Sequence, residues 1–177
     1  MSLNSVPLTL IPSVLAFDVD AGFDALTAAQ RMIDISTHSW EWGTAAQALL
    51  ELYNNELSVF APDPFPNGKI PCADLGAVGL TYATKFITLS QQTLCLDSSA
   101  GDPASLGVAA ILLGQKDEVY LDAAERQAHH VLNIAPRLKS GAISHRNEVA
   151  ECWSDNVAMT FPFRRFLTDS RPCSQFS

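Results

Sequence analysis

One stretch constrains the fold of this chain more than any other: residues 104–113 read ASLGVAAILL and are apolar on every face. Asp102 and Pro103 precede it, an N-cap followed by proline at the first helical position, and Gly114 follows it as a stop signal. This pattern predicts a helix that ends at Gly114. Because a helix without a polar face must be covered by other elements, the fold should be layered.

The remaining helical segments are of two types. A second largely apolar helix is predicted for residues 39–53, with Ser39 as its cap. Helices with a single apolar stripe are predicted for residues 21–37, 74–90 and 117–136. A sixth candidate helix covers residues 153–161. Between the second and third helices, the prolines of residues 54–72 predict a long ordered loop.

The alternation of striped and apolar helices favours two concentric layers, with the apolar helices inside. No segment of useful length alternates apolar and polar residues as a half-buried strand would. The predicted fold class is therefore all-α, a partial α/α toroid with room for about three helical hairpins. The 177 residues suit one domain, and 47% hydrophobic residues suffice for a core.

Charge and hydropathy exclude two classes of partner. The net charge of -8 argues against nucleic-acid binding, which draws most of its affinity from Lys and Arg. No apolar run is long enough to span a bilayer, so no membrane partner is expected.

At the amino end Pro7 and Pro12 interrupt the apolar residues and a basic region is lacking, so no clear signal peptide is encoded. We expect this end to lie as an exposed strap over the helices.

Four cysteines are present, at positions 72, 95, 152 and 173. Cys72 and Cys95 flank the helix predicted for residues 74–90, which would separate its ends by roughly 25 Å, beyond the reach of a disulfide. Free thiols are therefore the default expectation. The sequence contains no metal-binding motif, and no metal or cofactor is expected.

Candidate functional residues cluster in residues 141–163. His145 and Arg146 form a donor pair, Trp153 is an aromatic platform, and Asp155 is a carboxylate. A sugar site needs such groups, because an indole stacks on a pyranose, basic groups hold carboxylates or hydroxyls, and an acid moves a proton. Structural roles remain open: Trp153 in the core, His145 bonded to a backbone carbonyl, Arg146 solvated, and Asp155 as a helix cap.

The segment SHR…ECWSDNVAM…PF resembles fungal six-hairpin glycosidase-like proteins, which are related to unsaturated rhamnogalacturonyl and glucuronyl hydrolases. Three other runs share the likeness: AQRMIDISTHSWEWGTAAQALLELYN, FPNGKIP and GDPASLGVAAILLGQ. The likeness extends over nearly all of residues 21–163. The resemblance implies an α/α toroid and a secreted protein.

The resemblance also implies a reaction. Such enzymes hydrate the double bond of a 4,5-unsaturated uronic acid at the end of an oligosaccharide, and one Asp acts first as acid and then as base. Asp155 matches the acid of the family's W-x-D motif. Trp153 would stack on the sugar, and His145 and Arg146 would lie near its carboxylate. Trp42 is assigned to substrate binding as well, whereas its neighbour Glu41 should complement the helix dipole.

The chain departs from the family in length and at its carboxyl end. Residues 1–177 form a single incomplete domain in which residues 164–177 diverge, with Arg164 and Arg165 where relatives are apolar. The missing hairpins put the activity in doubt, so the alternative is a non-catalytic module that binds glycans or a protein. Apolar faces that would meet those hairpins are expected to be exposed, which predicts self-association, detectable by light scattering.

Overall fold

The computed structural model describes residues 22–168, and the regular elements within them are helical. Six α-helices follow in chain order: α1 (Ala25–Ile35), α2 (Ser39–Tyr53), α3 (Val78–Ala83), α4 (Gly107–Gly114), α5 (Glu118–His129) and α6 (Asn156–Leu167). Short 3₁₀ segments lie at Asn55–Leu57, Pro66–Gly68 and Asp102–Leu106, and a π-helical turn, His130–Ile134, continues α5. In this part of the chain only two isolated bridges occur in place of strands, so the all-α prediction is confirmed.

Helix α4 lies at the centre of the core. All eight of its residues are buried, as its apolar sequence predicts. It packs against α2, α3, α5 and α6, and α6 contributes the fully buried rings of Phe163 and Phe166. A Cβ at Gly107 would lie 2.2 Å from the Phe163 ring. Glycine at this position therefore allows α6 to pack directly on the backbone of α4.

Helix α2 has the predicted bounds but a different cap. Its N-cap is His38, and Glu41 Oε2 accepts hydrogen bonds from the backbone N–H of Thr37 at 2.6 Å and of His38 at 2.9 Å. These bonds lower the pKa of Glu41, so the expected role of Glu41 at the helix start is confirmed. Ser39, predicted as the cap, instead donates its hydroxyl to Asp97 Oδ2 at 2.5 Å.

Helix α3 is much shorter than predicted. It spans Val78–Ala83, whereas the apolar spacing predicted a helix over residues 74–90. A helix through Thr88 is not possible, because the N–H and the hydroxyl of Thr88 both donate to the carbonyl of Leu94, at 2.7 and 3.0 Å. Leu75 and Leu89, expected on the buried stripe, are exposed.

Helix α6 begins later and ends later than predicted. It spans Asn156–Leu167 and includes Pro162, so the helix continues past Phe161 into the segment that diverges from the family. Phe166 is fully buried, and the Arg165 guanidinium lies 4.2 Å from the centre of the Phe65 ring. These residues belong to the packed fold.

The state of the cysteines differs from the predicted free thiols. Cys72 is disulfide-bonded, whereas Cys95 and Cys152 are free thiols. The default of free thiols is therefore wrong for Cys72. Cys95 is buried, and burial raises the pKa of its thiol to about 12, with further contributions from Asp97 and Asp102.

Several expectations stay predictions. The toroidal arrangement and self-association are among them, although Phe60, Val157 and Phe161 are exposed apolar side chains. The strap predicted at the amino end lies outside the described residues. Across residues 22–168 no helix has the length and apolar character to cross a membrane.

The contact between α2 and α3 yields a stability prediction. A Cβ at Gly79 would lie 2.6 Å from the carbonyl oxygen of Ala46 and 2.8 Å from Leu50 Cγ. Gly79→Ala must push the two helices apart, and we expect it to lower the free energy of unfolding by about 1–3 kcal/mol in urea titrations. Gly76→Ala is the control, because its Cβ would make ordinary contacts from 3.5 Å outward. Equal stability of the two variants would contradict the assigned packing.

Candidate functional site

A cavity of about 470 Å³ brings the predicted residues together. It lies beside the start of α2, between residues 97–102 and residues 145–155. Its lining includes all four residues singled out in residues 141–163: His145, Arg146, Trp153 and Asp155. The lining also includes Trp40, Asp97, Ser98, Ser99 and Asp102. Two tryptophans, three carboxylates and two basic side chains therefore face one space.

The segment that carries His145 and Arg146 is held by a buried serine. Ser144 is fully buried, and its hydroxyl donates to the carbonyl of Val149 at 2.8 Å. The same oxygen accepts from the N–H of Arg146 at 3.1 Å and of Glu151 at 2.9 Å. These bonds close residues 144–151 into a compact loop.

A second set of bonds joins this loop to residues 97–102. The carbonyl of His145 accepts from the N–H of Ala100 at 2.7 Å and from the Ser99 hydroxyl at 3.0 Å. Ser99 Oγ in turn accepts from the N–H groups of Gly101 and Asp102, each at 3.0 Å. The positions of His145 and Asp102 are thus fixed by backbone bonds as well as by side-chain contacts.

The His145 ring lies between two carboxylates. Its Nε2 is 3.3 Å from Asp102 Oδ1, and its Nδ1 is 4.0 Å from Asp155 Oδ1. The ring stacks on Trp153, with centroids 4.6 Å apart and planes inclined by 7°. His145 is 3% exposed, and its Nδ1 makes no hydrogen bond within the protein. It is therefore placed to respond to the charge of either carboxylate.

The three carboxylates differ in their surroundings. Asp97 accepts from Ser39 Oγ and, at 2.8 Å, from the N–H of Ser99, so it is bound in place. Asp102 is buried, and burial raises its pKa; Asp97 and Asp155 add to this rise, while His145 and Ser99 oppose it. A carboxyl group with a raised pKa keeps its proton to higher pH, which suits a proton donor.

Asp155 is the most accessible of the three, with 48% of its side chain exposed. It occupies the N-cap position of α6, yet its side chain makes no capping hydrogen bond. Asp155 therefore holds the N-cap position that the structural alternative predicts, but its carboxylate takes no part in capping. The carboxylate is free to face solvent and ligands.

The two tryptophans of the cavity are accessible for stacking. Trp153 is 46% exposed and Trp40 is 40% exposed, so a core position for Trp153 is wrong. Trp153 Nε1 donates to Glu151 Oε2 at 3.2 Å, and the Trp40 indole stacks on His38 with centroids 4.4 Å apart. Each indole is thus oriented by a neighbour while it keeps an open surface.

Trp42, predicted to bind substrate, lies elsewhere. Its ring stacks on Phe86 with centroids 4.5 Å apart, and its Nε1 donates to the carbonyl of Ser36 at 3.3 Å. Residues two apart on a helix lie about 200° apart around its axis, so only one of Trp40 and Trp42 can face the cavity. That residue is Trp40.

Sequence reasoning also missed the contribution of residues 97–102. Asp102 was interpreted only as a helix start signal, and Asp97 was not considered. The available signal was the short polar run from Asp97 to Ser99. It is followed, after Ala100 and Gly101, by Asp102 and then by the most apolar helix. Within residues 22–168, His, Cys, Asp and Glu side chains form no group of three or more that could hold a metal ion.

Comparisons of the chain with protein-family models, with curated proteins and with solved structures found no match. The resemblance to six-hairpin glycosidases therefore stays a prediction, and it rests on the motifs quoted above.

The raised pKa of Asp102 gives the fold a defined pH dependence. The folded state binds the proton of the Asp102 carboxyl more tightly than the unfolded chain does. The resulting contribution to the free energy of unfolding is therefore complete below the ordinary pKa of 3.8. It is lost as pH rises through the raised pKa of the folded state. We expect Asp102→Asn, which imitates the protonated group, to flatten the decline in unfolding free energy above about pH 4. Urea titrations over a pH series measure this decline.

Asp122→Asn provides the control for that experiment, because Asp122 is an exposed residue of α5. It should leave the pH profile as in the unsubstituted protein. Parallel pH profiles for Asp102→Asn and the unsubstituted protein would contradict a raised pKa at Asp102.

Proposed function

We propose that this cavity binds the terminal unsaturated uronic acid of an oligosaccharide and hydrates its 4,5 double bond. The observation that carries the proposal is the grouping of Trp40, Trp153, Arg146, Asp102 and Asp155 around one space. Stacking surfaces, a cation and two carboxylates in different surroundings are the groups that this reaction needs.

Arg146 is the partner of the sugar's carboxylate. It lines the cavity, and its Nε is buried without a hydrogen bond to the protein, so a ligand oxygen there would satisfy a costly buried donor. The nearby carboxylates repel an anionic ligand. Because the raised pKa of Asp102 favours its neutral form, this repulsion is smaller than a count of acidic residues implies.

The two carboxyl groups divide the proton transfers. Asp102 delivers a proton to C4 of the alkene, and Asp155 orients a water molecule and takes its proton as the oxygen bonds to C5. The proton gained by Asp155 balances the one lost by Asp102, and proton exchange with solvent restores the original charges. This assignment keeps Asp155 as a catalytic residue and adds Asp102 as the donor.

The product of hydration then breaks down without further catalysis by a nucleophile. Addition of water gives a hemiketal at C5, and ring opening converts C5 to a ketone and leaves a hydroxyl on C1. The resulting hemiacetal at C1 expels the remaining saccharide as an alcohol, and C1 becomes an aldehyde. Atoms balance with one water consumed per sugar released.

The test is loss of ultraviolet absorbance when the protein is mixed with lyase-digested pectin, since hydration removes the chromophore. Asp155→Asn and Asp102→Asn should each lower kcat by at least about a hundredfold, the usual scale of acid–base catalysis. Trp153→Ala should raise KM about tenfold through lost stacking.

Trp42→Phe is the matched control, because Trp42 is a tryptophan of the same helix as Trp40 that packs away from the cavity. It should change kcat and KM by no more than about twofold. Absorbance that stays constant with the unsubstituted protein would contradict the proposal. Calorimetric binding of the oligosaccharide without turnover would instead support the alternative, a glycan-binding module.

A further inference from the structure

A second cavity adjoins the first at Asp155. Its volume is about 390 Å³, and it lies between α2, residues 59–60 and α6. Asp155 lines both cavities. Two compartments therefore flank one carboxylate, each in the size range of a site for a small ligand.

The hydrogen-bond donors of the second cavity are already used within the protein. Gln47 Nε2 donates to Glu51 Oε1 and to Ser58 Oγ, each at 3.0 Å. The Thr44 hydroxyl donates to the carbonyl of Trp40 at 2.7 Å, and the Ser105 hydroxyl to that of Asp102 at 2.5 Å. A ligand group here would find few free side-chain donors, so a buried acceptor on it would stay unpaired, whereas Glu51 and Asp155 can still accept hydrogen bonds.

Apart from these side chains and the carboxylates of Glu51 and Asp155, the lining is apolar. Val59 and Val108 contribute branched side chains, while Met159 and Pro162 come from α6. Phe60 lies at the rim with 71% of its surface exposed. An aromatic ring and a thioether beside an open apolar cavity favour a ring-shaped apolar group.

We infer that the second cavity is the subsite for the leaving group of the substrate, and that it holds an apolar face of this group. The inference rests on the proposed function, since it places the uronic acid in the first cavity and the alcohol beyond Asp155. It narrows the substrate class from oligosaccharides in general to unsaturated uronides whose neighbouring unit presents an apolar ring face. A cyclohexyl group is a suitable probe of this subsite.

The experiment compares methyl and cyclohexyl glycosides of the 4,5-unsaturated uronic acid. Both release an alkyl alcohol, so they differ mainly in the apolar surface of the leaving group. We expect kcat/KM to be at least about tenfold higher for the cyclohexyl compound, because several methylene groups leave water. Phe60→Ala and Met159→Ala should reduce this ratio to about threefold or less.

Phe161→Ala is the control variant. Phe161 is an aromatic residue on α6 that is 56% exposed and does not line either cavity. Its removal should leave the ratio unchanged. Calorimetry with the unreactive methyl and cyclohexyl glycosides of glucuronic acid gives a second readout, in which the same preference should appear without turnover.

The outcomes separate the two proposals. Equal kcat/KM for both glycosides, unaffected by Phe60→Ala, would overturn the subsite and leave the hydrolase function standing. Tighter binding of the cyclohexyl glucuronide, lost in Phe60→Ala but without turnover of either unsaturated glycoside, would support the subsite and overturn the reaction. Neither binding nor turnover would overturn both.

Discussion

The burial of α4 on all sides is the constraint on which the rest of the structure depends. Its eight residues contribute no polar face, so α2, α3, α5 and α6 must all pack around it. The packing of Phe163 against Gly107 sets the position of α6, whose first turn follows Asp155. The Asp102–Leu106 turn leads directly into α4. The two carboxylates assigned to proton transfer are therefore positioned by the hydrophobic core.

The sequence predicted those features that depend on residues close together in the chain. The bounds of α2, the burial of α4 and the cluster of His145, Arg146 and Trp153 follow from nearby residues. The half of the site contributed by Asp97 and Asp102 could not be predicted this way. Ser99 contacts His145 across 46 positions, and Ser39 contacts Asp97 across 58, so these pairings exist only in the folded chain. The same holds for the turn that follows α3, because the bonds of Thr88 to Leu94 are not indicated by the apolar spacing of residues 74–90.

The three carboxylates of the cavity differ in how firmly they are held and in how exposed they are. Asp97 is bound by Ser39 and Ser99, Asp102 is buried against His145, and Asp155 is open to solvent. Three residues of the same type thereby differ in exposure and hydrogen bonding because of their surroundings alone. Residue type and spacing placed Asp155 beside Trp153, but they gave no information on how its surroundings differ from those of Asp97 and Asp102.

The loop closed by Ser144 has a consequence for ligand capture. Its hydroxyl bonds to Arg146, Val149 and Glu151 restrict the backbone of residues 144–151 in the absence of any ligand. The conformational entropy of this segment is thus lost during folding, and association does not have to order it again. A rigid rim of this kind favours rapid, shape-selective docking of small rings over adaptation to many different ligands.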